Sequence, residues 1–169
     1  MSTTGIGGHQ SAHMRSDTWI TPRDILARLG SFDLDPCAAP AQPWPCAAKS
    51  FTVHDDGMSK EWDGRVWLNP PYGREVEAWM ARLAEHNRGT ALIFARTETE
   101  AFFRQVWRRA SALLFIEARL HFHYEDGTRA KANAGAPSVL VAYGLDDADI
   151  LAECSIDGAF VPLSTNGQT

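Results

Sequence analysis

Within this chain of 169 residues, Asn69-Pro70-Pro71-Tyr72 is the stretch best equipped for chemistry. Two consecutive prolines fix φ at about −65° and offer no N–H, so the carbonyls of Asn69 and Pro70 cannot enter a helix ladder. The corner holds a carboxamide, a free backbone carbonyl and a tyrosine ring close together. An exocyclic amine would find there two acceptors for its N–H groups and one flat face for its ring. The plainer alternative is that Pro-Pro only ends a strand and Tyr72 packs nearby. A second acidic corner, Asp35-Pro36-Cys37, closes an earlier run and is suited to accept from an ammonium or hydroxyl group, unless Asp35 only shapes an Asx turn.

The elements that must position these groups read as an α/β chain. Val66-Trp67-Leu68 forms a short buried strand that the prolines stop, and ligands of open α/β sheets collect at such carboxyl ends. Phe32 to Asp35 forms another strand, and Ser50 to Val53 a further short one before the turn His54-Asp55-Asp56-Gly57. Asp55 and Asp56 either reach a ribose or a base amine or only shape that turn, and spacing does not choose between these. Ile25, Leu26 and Leu29 recur at helical spacing behind Thr21, the expected N-cap, and Pro22 at the first helical position. Val76, Trp79, Met80 and Leu83 make a helical stripe. Thr90 to Ala95 reads as a central strand covered on both faces, and Thr97 with Glu100 as the capping box of the next helix. Ala112 to Ile116 is a further buried strand. Leu120 to Tyr124 and Ser138 to Tyr143, joined by a long loop, predict a terminal antiparallel hairpin. The expectation is a mostly parallel sheet in a three-layer sandwich, with an arm over 1–16, one domain over 17–160 and a loose tail over 161–169.

Composition narrows the partners. A formal charge of −5 argues against coating nucleic acid by bulk attraction. Arg96, Arg104, Arg108, Arg109, Arg119, Arg129 and Lys131 nevertheless fall in one stretch, as a local basic face or as the solvated side of a helix. No apolar run is long enough to span a membrane. Cys37, Cys46 and Cys154 form no C-x-x-C pair, which fits a reducing cytoplasm better than a disulfide framework.

The ordered set Asp17-x-Trp19-x-Thr21-Pro22, Phe32-Asp33-Leu34-Asp35-Pro36-Cys37-Ala38, Asp55-Asp56-Gly57-Met58, Trp67 to Gly73, Ala95 to Thr99, Ala118-Arg119-Leu120-x-Phe122 and Ala136-Pro137-Ser138 resembles the small phage and prophage DNA N6-adenine methyltransferases. The resemblance covers about Asp17 to Tyr143 and implies a Rossmann-like methyltransferase fold that uses S-adenosylmethionine. It implies Asn69, Pro70, Pro71 and Tyr72 as the catalytic corner. Asp35, Pro36 and Cys37 would lie in the cofactor loop, Trp19, Thr21 and Pro22 at the methionine end, and Asp55 or Asp56 at the ribose or adenine. Arg96 and Arg119 would face DNA, with Tyr72 and Phe122 walling an adenine that is flipped out or single-stranded. The residues after Asp35-Pro36 depart from the glycine-bearing turn of larger relatives. At this length no separate target-recognition domain is expected, so specificity would come from short loops or a second subunit, as in a homodimer, or be weak. A part in restriction-modification or in protecting phage DNA also follows only from the resemblance.

Other classes compete. His121-x-His123 with Glu125, Asp126 and His54 would suit a metal-dependent nuclease, since alternating strand residues share a face. The resemblance itself calls for no metal. RNA and protein-glutamine methyltransferases carry the same tetrapeptide, and a non-catalytic DNA-binding module could keep the fold.

Overall fold

The computed structural model describes residues 19–164, so the arm expected over 1–16 and the end of the tail lie outside it. Strands β1 (Leu34–Asp35), β2 (Lys49–Ser50), β3 (Val66–Leu68), β4 (Gly89–Phe94), β5 (Ala112–Ile116), β6 (Ser138–Tyr143) and β7 (Gly158–Pro162) make one seven-stranded sheet. Their spatial order is β2-β1-β3-β4-β6-β5-β7. β2, β1, β3 and β4 pair in parallel, β6 runs against both β4 and β5, and β7 runs against β5. The first five strands therefore share one direction, and their carboxyl ends form one edge.

Strand alternation builds a core on each face. Val66, Leu68, Ala91, Ile93, Val139 and Val141 face α2 (Val76–His86), α3 (Glu100–Phe102) and the π turn Phe103–Trp107 that continues it. Trp67, Leu92, Leu140 and Ala142 face α1 (Arg23–Leu29) and α4 (Leu145–Glu153). Each Val, Leu or Ile among them contributes about 1.5–3 kcal/mol when fully buried. Among the described residues no helix is long and apolar enough to cross a membrane.

Several elements differ from the sequence expectations. The sheet is evenly mixed rather than mostly parallel, because β6 is inserted between two strands that oppose it. Leu120 to Tyr124 is not the hairpin partner of Ser138 to Tyr143; β6 has β4 and β5 on its two sides, and His123 makes only isolated bridges to Ile20 and Arg129. The expected strand over Ser50 to Val53 shrinks to Lys49–Ser50. Val161 and Pro162 belong to β7, so the order in the chain outlasts residue 160. Helix α4 was not foreseen. Its Asp147 is buried at 1% exposure, where it accepts from Arg65 Nε at 2.8 Å and from Thr90 Oγ1 at 2.9 Å. That pair ties α4 beneath the sheet.

Neither expected N-cap caps. Pro22 occupies the N-cap of α1, and Thr21 turns its hydroxyl elsewhere. At α3 the cap is Thr99, whose Oγ1 accepts from Phe102 N at 3.2 Å. Thr99→Ala is expected to lower stability by about 1 kcal/mol, and Thr97→Ala to change it by less than about 0.5 kcal/mol. Urea unfolding of the two variants checks this, and equal losses would contradict the assignment.

Candidate active site

Parallel pairing places Asp35, Asn69 and Phe94 at the carboxyl ends of three neighbouring strands. Beside that edge opens a cavity of about 660 Å³, lined by Trp19, Thr21, Asp35, Asn69, Tyr72 and the strap 52–58 among others.

Asn69 follows β3 directly, where the prolines end the strand. Its Nδ2 donates to Trp19 O at 3.0 Å and to Thr21 Oγ1 at 3.3 Å. A carbonyl can only accept, so the atom facing Trp19 must be the amide nitrogen, and the carboxamide has one orientation. Its Oδ1 is then left buried without a hydrogen-bond partner among the described residues. A buried acceptor in that state costs about 1–3 kcal/mol until a donor arrives. Pro70, also in the cavity wall, has a carbonyl that accepts no hydrogen bond among the described residues.

Tyr72 stacks on Phe94 with centroids 4.3 Å apart and planes 8° from parallel. Phe94 thereby fixes the plane of a ring that lines the cavity. Burial pushes the Tyr72 phenol well above its ordinary range, so it stays protonated.

Asp35 is 3% exposed. Burial raises its carboxyl to about 7, although the Cys37 N–H at 3.2 Å and the nearby Cys46 thiol favour the charged form. Cys37 and Cys46 are themselves pushed up to about 12, first by burial and then by the Asp35 charge, so both remain thiols.

The two acids of the turn occupy different surroundings. Asp55 accepts from Thr52 N at 2.8 Å and Thr52 Oγ1 at 3.2 Å, which closes its own turn and holds it below the usual carboxylate range. Asp56 lines the cavity from a left-handed conformation, φ 54°. Gly57 follows, buried against the Pro36 carbonyl, and its own carbonyl accepts from Trp62 Nε1 at 2.9 Å.

Other expected site residues lie elsewhere. Pro22 starts α1 outside the cavity wall. Phe122 is 3% exposed and packs behind Trp19, ring centroids 6.1 Å apart, so it forms no second wall. Arg96 and Arg119 are exposed outside the cavity; the Arg96 guanidinium lies 5.8 Å from the Phe94 centroid, and Arg119 Nη1 donates to Ala134 O at 3.1 Å. His123 is occupied by Gly127 O at 3.1 Å and by the edge of Trp44. No three His, Cys, Asp or Glu side chains gather as a metal site among the described residues.

Sequence reasoning missed Phe94, Cys46, Trp79, Glu75 and Glu125 as parts of this region. Only Phe94 carried a signal, as the last aromatic of a central strand beside the one that leads to Asn69. The cavity wall contains four carboxylates, Asp35, Asp56, Glu75 and Glu125, and no Lys, Arg or His. It suits a ligand with cationic groups and no phosphate.

A family model described as DNA N-6-adenine-methyltransferase (Dam) matches residues 8–149. The DNA N-6-adenine-methyltransferase of Escherichia phage T1 is 31% identical over 114 residues, which cover 62% of this chain and 46% of that protein. The chain thus spans about half the length of this curated relative. No solved structure matches it.

Proposed function

Because the chain belongs to the DNA N-6-adenine-methyltransferase (Dam) family, we propose that it transfers a methyl group from S-adenosylmethionine to the N6 amine of adenine in DNA at the corner Asn69 to Tyr72. The observation that carries this reading is the orphaned Asn69 Oδ1, held in place by the bonds of its own amide nitrogen. The mixed sheet, with five strands in one direction and β6 inserted in reverse, supports a Rossmann-like methyltransferase fold formed as one domain.

An aromatic amine is a poor nucleophile because its lone pair is delocalised into the ring. Asn69 Oδ1 and the Pro70 carbonyl accept from its two N–H groups and draw the nitrogen towards a tetrahedral form. Tyr72, backed by Phe94, stacks on the base and sets its plane, a contact of about 1–3 kcal/mol by analogy with other base–aromatic pairs. Held beside Asp35 and Asp56, S-adenosylmethionine would supply an electrophilic methyl: the C–N bond would form as the C–S bond breaks, S-adenosylhomocysteine would leave as the neutral thioether, and the surplus N6 proton would pass to solvent. The protein's contribution is positioning and fixed dipoles. Asp35 and Asp56, in a wall without basic residues, suit the cofactor's ammonium and ribose hydroxyls.

Label from S-adenosyl-[methyl]-methionine should enter unmethylated DNA, and nucleoside analysis should return N6-methyladenine. Label found only in RNA or protein would overturn the acceptor assignment.

Proton linkage offers an independent check on Asp35. A cation placed beside a carboxyl titrating at about 7 favours its charged form, so cofactor binding should release a proton near neutral pH. Affinity should rise between about pH 5.5 and about pH 7.5 and then level off. The sign for folding is the reverse. The native state keeps a proton that the unfolded chain loses above 3.8, so the ligand-free protein loses stability as pH rises from there through about 7. Calorimetric titration in buffers of different ionisation enthalpy reads the released proton. Asp35→Asn should abolish that release, and an unchanged release in this variant would remove Asp35 from the cofactor site.

A further inference from the structure

The carboxyl edge of the sheet is divided by charge. On the β1 side lies the cavity with four carboxylates and no basic residue, where a phosphate would be repelled. Two exposed arginines follow strands on the opposite side of Asn69. Arg96 comes two residues after β4 and Arg119 three residues after β5. β6 lies between these strands, and its register holds Phe94 opposite Ser138 and Phe115 opposite Val139, so both strands end at the same level. Two strand intervals set the ends of β4 and β5 about 10 Å apart. Along the axis of a duplex, where each strand places one phosphate per rise of about 3.4 Å, that is about three nucleotide steps.

Local bonds hold both departing segments to this edge. Ala95 N donates to Pro137 O at 2.8 Å, and Arg119 Nη1 reaches Ala134 O on the return arm of the excursion 117–137. That arm also carries the exposed Lys131. None of the three cations joins an ion pair among the described residues. The excursion has no helix or strand of its own and is docked on the cavity rim, where Ile20 and His123 exchange two backbone hydrogen bonds of 3.0 Å. Long irregular connections in compact domains are usually functional loops or loose linkers, and the bonds to Ile20 and from Arg119 set this one apart from a loose linker.

Resting on the DNA reading above, we infer that the phosphates flanking the target adenine run over the ends of β4, β6 and β5, held by Arg96, Arg119 and Lys131. The cofactor side of the edge takes no phosphate. Glu98 and Glu117 lie close to these cations in sequence, so the track consists of discrete contacts rather than a broad basic field, consistent with a net charge of −5.

Binding of a fluorescent adenine-containing oligonucleotide across a salt series tests the track. Arg96→Gln, Arg119→Gln and Lys131→Gln should each reduce the slope of log affinity against log salt by about 0.7–0.9, the loss of one phosphate contact. Binding at moderate salt should fall several-fold, with unchanged S-adenosylmethionine affinity. Lys49→Gln and Lys60→Gln make the same charge change off the ends of β4, β6 and β5 and should leave the slope alone. Unchanged slopes in the first three variants, or equal losses in the two controls, would overturn the track. A wild type that methylates DNA while the first three variants keep its slope sinks only this inference; a wild type that binds DNA with the expected variant effects but transfers no methyl group sinks only the enzymatic reading.

Discussion

Asn69→Ala is expected to lower the single-turnover rate of DNA methylation by about three orders of magnitude, the upper range for losing one preorganised group at a developing charge. S-adenosylmethionine affinity should stay nearly unchanged. The reasoning is geometric. Asn69 Oδ1 is the buried acceptor with no partner at the corner, and alanine removes it without filling the cofactor side of the cavity. The substitution also breaks the bonds to Trp19 O and Thr21 Oγ1, so a folding control is needed. Quenching of tryptophan fluorescence supplies it, because Trp19, Trp67 and Trp79 line the cavity and report cofactor binding directly. Turnover within tenfold of wild type, at normal cofactor affinity, would remove Asn69 from the reaction.

Gly57→Ala should produce the complementary defect. Gly57 does not have a positive φ, so alanine could adopt its backbone conformation; the obstacle is contact. A Cβ there would overlap the Pro36 carbonyl, which is backbone and cannot swing aside, and would also meet Phe51 Cβ at 3.4 Å. The strap carrying Asp56 and Met58 must then move off the loop after β1, and the wall of the cavity opens. Cofactor affinity is expected to fall about 10- to 100-fold, equivalent to the 1–3 kcal/mol that overpacking usually costs. Saturating cofactor should restore most of the turnover. The two variants thus separate into a rate defect and a binding defect, which steady-state kinetics at varied cofactor reads directly. Wild-type affinity in Gly57→Ala would exclude the strap from the cofactor site.

Much of the local structure was legible in the sequence because its causes are local. Pro70 and Pro71 lack the N–H that a strand or helix would need, so β3 had to end at Asn69. The short apolar run before Arg96, bounded by Gly89 and polar residues, fitted a strand covered on both faces, and the spacing of Val76, Trp79, Met80 and Leu83 fitted one side of a helix. The corner with its unpaired acceptors followed from the same residues, and the ordered motifs pointed to the family that the comparison then matched.

What the tertiary structure decided was which of several chemically equivalent residues meet. Thr21 and Thr97 were sound N-caps by type, yet Thr21 bonds Asn69 from 48 positions away and Thr99 caps α3 in place of Thr97. Asp55 and Asp56 were indistinguishable by spacing until Thr52 engaged the first and left the second to the cavity. Nothing local marked Asp147 in α4 for burial; Arg65, 82 residues earlier, gives it the partner that offsets the cost. Phe122, assigned to the target base, was drawn behind Trp19 by packing. Side-chain chemistry and backbone preference are written residue by residue, whereas partners distant in the chain depend on which strands lie side by side. Here the insertion of β6 between β4 and β5 set that order, and no local preference encodes it.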